Sequence, residues 1–248
     1  RWKSRASDIV AWSTSTNWCA LLPRDVGAVI VAAGQGARFG GDVPKQYLPL
    51  GGHPVLLHAI RPFVAHPDVA CTVVVLPAAD VNAIPEWLAP LVGDALRVVA
   101  GGTTRRGSVA AGLAAHGTEC EVVLVHDGAR PFPSRPVIDA IIDAARSGYG
   151  AVPALPVTDT IKRADDFGRV LGTVAREGLW RVQTPQGFPR SLLERAHATP
   201  ADQFDATDDA MLVELAGGRV DLLPGAVGNI KITTADDLML AEWLLERQ

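Results

Sequence analysis

A glycine-rich segment, VAAGQGARFGGDVPKQYLPL at residues 31–50, follows an apolar run and carries two cations, Arg38 and Lys45. Its glycines allow a tight turn that presents several backbone N–H groups to one anion. A planar guanidinium and a compact ammonium beside such a turn suit a triphosphate, because both can neutralise the charge that builds at phosphorus during transfer. The segment predicts a nucleotide site with Arg38 and Lys45 as catalytic cations.

Two familiar phosphate-binding loops do not fit this segment. A dinucleotide-binding GxGxxG that starts at Gly34 would need its third glycine where Phe39 stands. It would also need an acidic residue near position 53 to bind the ribose, and no Asp or Glu lies there. A P-loop needs lysine directly after GxxxxG, yet Asp42 stands there. A nicotinamide-dependent dehydrogenase is therefore disfavoured. An ordinary strand-to-helix loop with incidental charges is the plainer alternative, but it does not explain the glycines and the Pro-Lys pair together.

Two further motifs carry charges at places where a ligand would bind. HDGARPF (126–132) follows an apolar run, and Asp127 in it offers the hard oxygen ligands that Mg²⁺ prefers, unless it only forms a turn or cap. In NIKIT (229–233), Lys231 lies between apolar neighbours, where an ammonium is costly unless an anion or a carboxylate meets it. Both side chains are candidate site residues.

The motif GGTTRRGSV (101–109) also ends an apolar run. Its two glycines allow the backbone to approach a flat base closely, and Ser108 could either hydrogen-bond that base or cap a helix. In TDDAML, Thr207 is expected to cap a helix, which leaves Asp208 and Asp209 as weaker candidate ligands.

Elements that would position these residues alternate along the chain. Apolar β-branched runs without polar alternation are typical of strands buried on both faces, and amphipathic segments lie between them. The predicted strands are 26–33, 72–77, 96–100, 121–126 and 150–156, and the predicted helices are 54–66, 106–117, 135–148, 190–198, 207–218 and one after 232–238. This order predicts an α/β, Rossmann-like fold with a mainly parallel sheet and helices on both faces. Ligands of such sheets bind beyond the carboxyl ends of the strands.

Residues 157–176 break this rhythm. Two stretches that alternate polar and apolar residues flank the turn-like ADDFG, which predicts a β-hairpin. A hairpin of this length with polar faces cannot bury itself in the core. It is therefore expected to project as an arm.

Composition bounds the remaining possibilities. The 248 residues, 48% of them hydrophobic, suit one domain at 26–248, and residues 1–25 are set apart as an extension that is disordered or, less favoured, a targeting segment. A net charge of −4 without a basic run argues against nucleic-acid and membrane-surface partners. Apolar runs are strand-sized, so no membrane span is expected. Three widely spaced cysteines suit a reducing compartment.

Seven motifs in order carry a resemblance to a known family. They are AAGQGARFGGDVPKQYLPLGGHPVLLHAI, GGTTRRGSV, VHDGARPF, VTDTIKR, QTPQGF, ATDDAMLVE and NIKITTADDL. Together they resemble nucleotidyltransferases of the cytidylyltransferase type, and most closely the 2-C-methyl-D-erythritol 4-phosphate cytidylyltransferase family. The resemblance covers residues 26–248.

The resemblance implies an activity and its partners. The expected reaction transfers CMP from CTP to 2-C-methyl-D-erythritol 4-phosphate, with release of pyrophosphate, in the non-mevalonate isoprenoid pathway. The expected cofactor is Mg²⁺ or another divalent cation, held mainly by the CTP phosphates. A cytoplasmic homodimer joined through the arm is implied, or a plastid protein if residues 1–25 are a targeting remnant. A ribitol 5-phosphate cytidylyltransferase, which shares the nucleotide half, is the alternative.

The resemblance also implies roles for individual residues. The catalytic residues would be Arg38, Lys45 and Lys231; the CTP-binding residues Ala32, Ala33, Gly34, Gly36, Gly102, Ser108 and Asp127; the acceptor-binding residues Arg130, Thr160 and Arg176; and the metal ligand Asp127. Thr160 and Arg176 would reach the acceptor of the neighbouring subunit. Arg105 matches the family's arginine, whereas Arg106 is expected to be a solvated cation. Thr103 stands where members of that family often have an acidic residue.

Overall fold

The computed structural model describes residues 24–34, 43–199 and 206–247. The strands in these ranges are β1 (Val26–Val31), β2 (Pro49–Leu50), β3 (His53–Pro54), β4 (Val69–Leu76), β5 (Leu96–Ala100), β6 (Val122–Asp127), β7 (Gly150–Pro156), β8 (Ile161–Ala164), β9 (Val170–Val174), β10 (Trp180–Val182), β11 (Gln186–Pro189) and β12 (Val220–Pro224). The α-helices are α1 (Val55–Val64), α2 (Ala78–Asn82), α3 (Arg105–Ala114), α4 (Arg135–Arg146), α5 (Arg190–Ala198), α6 (Asp209–Leu215) and α7 (Ala235–Leu245). The five predicted strands and six predicted helices are all present.

The described strands form one large sheet and two small ribbons. The large sheet has the order β10-β7-β11-β6-β1-β4-β5, with β12 also paired to β7. Strands β6, β1, β4 and β5 run parallel to one another, and β12 runs parallel to β7, whereas β10 and β11 are antiparallel to their partners. The predicted mainly parallel sheet is confirmed.

Helices cover both faces of this sheet because each central strand is apolar on both sides. Ile30 and Val74 point to the face that packs against Leu56 of α1 and Ile138 of α4. Val29, Val73 and Val75 point to the opposite face, which packs against α3, α5 and α6. Successive side chains of a strand alternate between faces, so an uninterrupted apolar run fills two cores.

A third, smaller cluster lies where the ribbon of β2 and β3 meets the last helix. Leu50, Val55, Ile232 and Ala241 are buried in it. Helix α7 begins with a capping box, in which the Thr234 hydroxyl accepts from the N–H of Asp237 and the Asp237 carboxylate accepts from that of Thr234. The cluster thereby holds the segment around Lys231 against the ribbon that follows Lys45.

The predicted hairpin is confirmed as the ribbon of β8 and β9. Asp165 closes its turn by accepting from the N–H groups of Phe167 and Arg169, and Gly168 takes the positive φ of 77° that the turn needs. Its residues are largely exposed, and Phe167 is 96% exposed. The ribbon therefore projects from the sheet.

Strands β10, β11 and β12 were not predicted.

The last residues before β1, which the sequence assigned to the N-terminal extension, contact the folded domain. Arg24 donates to the main-chain oxygen of Val69 at 2.8 Å, and Asp25 pairs with Arg146. The placement of residues 1–23 lies outside the described residues. No helix in the described ranges is long and apolar enough to cross a membrane.

Candidate active site

A cavity of about 260 Å³ opens at the carboxyl ends of β1, β5 and β6. Its lining is Val31, Ala32, Ala33, Gly34, Lys45, Gln46, Gly102, Thr103, Thr104, Arg105, Ser108, Asp127, Gly128, Ala129 and Lys231. The structure thus brings eight of the sequence-predicted site residues together from three motifs and the glycine-rich segment. Gly36 and Arg38 lie outside the described residues.

Gln46 holds the start of the glycine-rich segment in place. Its buried side-chain amide donates to the main-chain oxygens of Ala32 at 2.9 Å and Gly34 at 3.2 Å. Lys45, the preceding residue, begins a short 3-10 helix (Lys45–Tyr47) and lines the cavity. The Tyr47 hydroxyl donates to the carboxylate of Asp80 at 2.5 Å. Lys45 is therefore followed directly by two residues whose side chains anchor the segment.

Asp127 is the charge centre of the cavity. Its Oδ2 lies 2.8 Å from Nζ of Lys231 and 3.8 Å from Nε of Arg130, and its Oδ1 lies 3.7 Å from Nε of Arg105. Burial alone would raise the pKa of this carboxyl, but attraction to Lys231, Arg105 and Arg130 outweighs burial and holds the pKa well below its ordinary value. Asp127 is thus an ionised carboxylate surrounded by cations, and it caps no helix.

Hydrogen bonds from buried residues outside the cavity lining hold the main chain of Asp127 in place. Its N–H donates to Oγ1 of Thr184 at 3.1 Å, and Thr184 in turn contacts Nδ1 of His126 at 3.0 Å. Burial lowers the pKa of His126 to about 4. The imidazole is consequently neutral at physiological pH and serves as a hydrogen-bonding group.

The segment after β5 approaches β1 closely. A Cβ added at Gly101 would lie 2.4 Å from Cβ of Ala33 and 2.8 Å from Oγ of Ser108, so only glycine fits there. Thr104 is the N-cap of α3, since its Oγ1 accepts from the N–H of Gly107. Ser108 is therefore not the cap; it is buried in the second turn, and its hydroxyl donates to the main-chain oxygen of Thr104 at 3.0 Å.

The two adjacent arginines of this motif have separate environments. Arg105 lines the cavity, and its Nη1 donates to the fully buried carboxylate of Asp209 at 2.7 Å. Arg106 donates to the main-chain oxygen of His197 at 2.8 Å, so the expectation of a merely solvated cation is wrong. Asp209 also lies 3.0 Å from Nε2 of His197.

Asp208, and not Thr207, is the N-cap of α6. Its Oδ1 accepts from the N–H of Met211 at 2.9 Å, and its Oδ2 accepts from the side-chain amide of Gln186. Asp208 and the buried Asp209 are thus both engaged with protein groups.

Arg130 lies beside the cavity, and its guanidinium contacts Asp127 and the main chain at Asn229. Its Nη1 donates to the main-chain oxygen of Asn229 at 2.9 Å, and its side chain is 12% exposed. This position is adjacent to Lys231 and Asp127, but the internal contacts leave only part of the guanidinium for an acceptor phosphate.

Thr160 and Arg176, the two arm residues, are exposed and do not line the cavity of their own chain. Nη1 of Arg176 donates to the main-chain oxygen of Thr158 across the base of the arm.

Several site residues were missed or under-weighted from the sequence. Gln46, His126, Thr184 and Asn229 act through buried hydrogen bonds that depend on distant segments. Each is a polar residue within one of the seven motifs, and this polarity beside apolar runs is the signal that could have marked them.

A divalent cation would find one hard oxygen ligand group in this cavity. No group of three His, Cys, Asp or Glu side chains that could hold a metal exists among the described residues. The ionised carboxylate of Asp127 fits a cation whose remaining ligands come from phosphate oxygens. It does not fit a metal bound by protein alone.

Comparisons with known proteins agree with this geometry. A family model described as 2-C-methyl-D-erythritol 4-phosphate cytidylyltransferase (IspD) matches residues 26–247. The chain is 43% identical over 236 residues to the 2-C-methyl-D-erythritol 4-phosphate cytidylyltransferase of Streptomyces coelicolor, covering 91% of this chain and 87% of that one. It is 47% identical over 224 residues to the bifunctional enzyme IspD/IspF of Rhodospirillum rubrum, covering 88% of this chain and 56% of that protein.

The chain spans about half the length of the bifunctional relatives it matches. Among solved structures, the 4-diphosphocytidyl-2C-methyl-D-erythritol synthase of Anaerococcus prevotii superposes with a TM-score of 0.77 at 32% identity. That match covers 90% of this chain and 96% of the other.

Proposed function

The chain belongs to the 2-C-methyl-D-erythritol 4-phosphate cytidylyltransferase family, and from this membership and the geometry of the cavity we propose that it transfers CMP from CTP to 2-C-methyl-D-erythritol 4-phosphate. The products are 4-diphosphocytidyl-2-C-methyl-D-erythritol and pyrophosphate. The observation that carries the proposal is the convergence of Lys45, Lys231 and Arg105 on one cavity at the sheet's carboxyl edge, next to the glycine-rich segment.

The chemistry needs positioning and charge neutralisation and no general base. A phosphate oxygen of the acceptor, already anionic at neutral pH, attacks the α-phosphorus, and the bond from that phosphorus to the bridging oxygen breaks. Pyrophosphate leaves with the electron pair. Lys45, Lys231 and, by resemblance, Arg38 stabilise the charge that develops on the α-phosphoryl oxygens and on the leaving group. Asp127 keeps Lys231 within the cavity through their 2.8 Å contact.

Selection of cytosine is assigned to the edges of β1 and β5. Backbone groups of Ala32, Ala33 and Gly34 and the close-packed Gly102 line the part of the cavity that would receive the base. The Ser108 hydroxyl donates its hydrogen bond to the main-chain oxygen of Thr104, so its lone pairs remain free to accept a hydrogen bond from a ligand. Cytosine presents an amino donor at its fourth position, whereas uracil presents an acceptor there, and this difference would favour CTP over UTP.

Mg²⁺ is the proposed cofactor. Asp127 would hold it together with phosphate oxygens of CTP, and when bound it supplies further neutralisation of the triphosphate charge.

A homodimer joined through the arm is the proposed assembly. Thr160 and Arg176 would bind the acceptor phosphate in the neighbouring subunit, with Arg130 supplied by the same chain as the cavity. Exposed apolar side chains on the arm, Phe167 at 96% and Leu171 at 63%, support a contact with a second copy. The buried free thiols of Cys71 and Cys120 support a reducing, cytoplasmic location.

Pyrophosphate release with a panel of polyol phosphates, crossed with the four ribonucleoside triphosphates, tests the activity. We expect turnover with CTP and 2-C-methyl-D-erythritol 4-phosphate only. Turnover with ribitol 5-phosphate instead would replace the acceptor and keep the nucleotide half of the proposal. Absence of pyrophosphate release with every pair would refute the proposed function.

A further inference from the structure

Four side chains beside the cavity form a closed ring of hydrogen bonds. Nη1 of Arg130 donates to the main-chain oxygen of Asn229 at 2.9 Å, and Nδ2 of Asn229 donates to that of Thr184 at 2.8 Å. Oγ1 of Thr184 lies 3.0 Å from Nδ1 of His126, whose Nε2 lies 2.9 Å from the main-chain oxygen of Arg130. His126, Thr184 and Asn229 are buried, so water does not compete for these bonds.

The acceptors fix the direction of every bond in this ring. The main-chain oxygen of Arg130 can only accept, so Nε2 of His126 carries the ring proton and Nδ1 must accept. The Thr184 hydroxyl therefore donates to Nδ1. Its lone pairs remain for the N–H of Asp127, which donates to it at 3.1 Å. Each of the four side chains thus donates to the next residue around the ring.

The ring joins three segments that are distant in sequence. They are the end of β6 with its following turn (126–130), the return from the arm (183–184) and the approach to α7 (229–231). Gln183 adds a second tie, because its amide donates to the main-chain oxygens of Ala226 at 2.9 Å and Asn229 at 3.2 Å. Asp127 follows His126 directly, and Lys231 comes two residues after Asn229.

We infer that His126 and Asn229, linked through Thr184, are positioning residues that set the placement of Asp127, Lys231 and Arg130 in the cavity. The inference deepens the proposed function and rests on it. None of the three linked residues lines the cavity, so they act only through the groups they hold. Catalysis by positioning is sensitive to such support, since a misplacement of about 1 Å can cost about a hundredfold in rate.

The test compares two isosteric substitutions of buried threonines. Thr184→Val removes the hydroxyl that links His126 to Asp127. Thr72→Val is the matched control, because Thr72 is equally buried in β4 and its hydroxyl has no hydrogen-bond partner among the described residues. Both proteins are assayed below their melting temperatures with CTP and 2-C-methyl-D-erythritol 4-phosphate, and CTP binding is measured by calorimetry.

We expect Thr184→Val to lower kcat about tenfold to a hundredfold, with the CTP dissociation constant changed by less than about twofold. Thr184→Ser, which keeps the hydroxyl, should recover most of that loss, and Thr72→Val should match the wild type. His126→Phe should lower kcat by a similar factor. The kcat of the His126→Phe/Thr184→Val double variant should lie within about twofold of that of the less active single variant, because both substitutions break the same hydrogen bond. Equal kcat for Thr184→Val and Thr72→Val would overturn the inference, as would a fall in melting temperature alone.

A second measurement does not depend on turnover. Long-range ¹⁵N–¹H spectra of labelled protein show which ring nitrogen of His126 bears the proton, with His126→Phe identifying the signal. We expect the Nε2–H form in the wild type and also in Thr184→Val, because the main-chain oxygen of Arg130 still accepts that proton, and we expect the Nδ1 resonance to shift in the variant because its hydrogen bond from Thr184 is lost. An Nδ1–H form in the wild type would refute the ring even if the enzyme proved inactive with this substrate pair, whereas inactivity of the wild type alone would refute the proposed function.

Discussion

At the scale of single residues, Lys45 is the cation whose proposed task is easiest to separate from binding. Lys45→Met should cut the single-turnover rate far more than it weakens CTP binding, because a cation facing developing charge is felt mainly in the transition state. Rapid-quench measurement with CTP bound to saturation checks this. A near-normal rate with only a raised KM for CTP would assign Lys45 to ground-state binding.

Asp127 offers a prediction about stability and pH. Its folded-state pKa is depressed by Lys231, Arg105 and Arg130, so its contribution to stability is present above its unfolded pKa and is lost as pH falls towards the folded pKa. The free energy of unfolding of the wild type should therefore exceed that of Asp127→Asn at pH 7. This difference should shrink between about pH 5 and pH 3.

Urea unfolding of both proteins at pH 7, 5 and 3.5 measures that difference. A gap that stays constant over this range would mean that the carboxylate charge adds no stability. Asp94→Asn is a suitable control, because the Asp94 carboxylate is exposed and forms no ion pair among the described residues.

The sequence marked Lys45 by the glycine-rich segment, Asp127 by its place after an apolar run, and Lys231 by the cost of an ammonium between apolar neighbours. The structure brings all three into one cavity and pairs Lys231 with Asp127. Gln46 and Asn229 were missed because a neutral amide can satisfy itself at the surface. Only the folded chain reveals that these amides are buried.

At the scale of elements, apolar periodicity predicted the core strands and helices well, and β5 and β7 match to the residue. Strands β10, β11 and β12 escaped because their sequences contain proline, glycine and polar residues, and their pairing depends on partners already in the sheet. The cap of α6 was misplaced by one residue because Thr207 and Asp208 are both good caps and only the backbone geometry decides between them.

The start of β1 gives an element-scale prediction. Deletion of residues 1–23 should leave activity and melting temperature nearly unchanged, since that segment lacks the apolar periodicity of a docked element. Deletion of residues 1–25 should lower the melting temperature by a few degrees, because Arg24 binds the main chain at Val69 and Asp25 pairs with Arg146. Differential scanning calorimetry of both truncations separates the two. A large loss from the shorter deletion would show that residues 1–23 support the fold.

At the scale of the whole molecule, the proposed function divides the active site between two subunits. Lys45 lies in the cavity of its own chain, whereas Thr160 and Arg176 lie on the exposed arm and line no part of that cavity. If the arm serves a neighbour, the acceptor pocket is complete only in a dimer. Sequence periodicity could predict that the arm projects, but it carries no information about which copy receives it.

Subunit complementation tests this division. Lys45→Ala should abolish chemistry in its own subunit, and Arg176→Ala should damage acceptor use, because loss of a charge-assisted contact to phosphate costs about 1.5–3 kcal/mol. In a mixed dimer one site combines an intact nucleotide pocket with an intact arm, and the other carries both defects. Random assortment of equal amounts makes half of the dimers mixed, so activity should recover to about a quarter of the wild-type value. Mixing Lys45→Ala with Lys231→Ala is the control. Both lysines line the cavity of their own chain, so each cavity of a mixed dimer lacks one of them and no intact site forms. Confirmed subunit exchange without recovery in the first mixture would mean that the arm acts within its own chain.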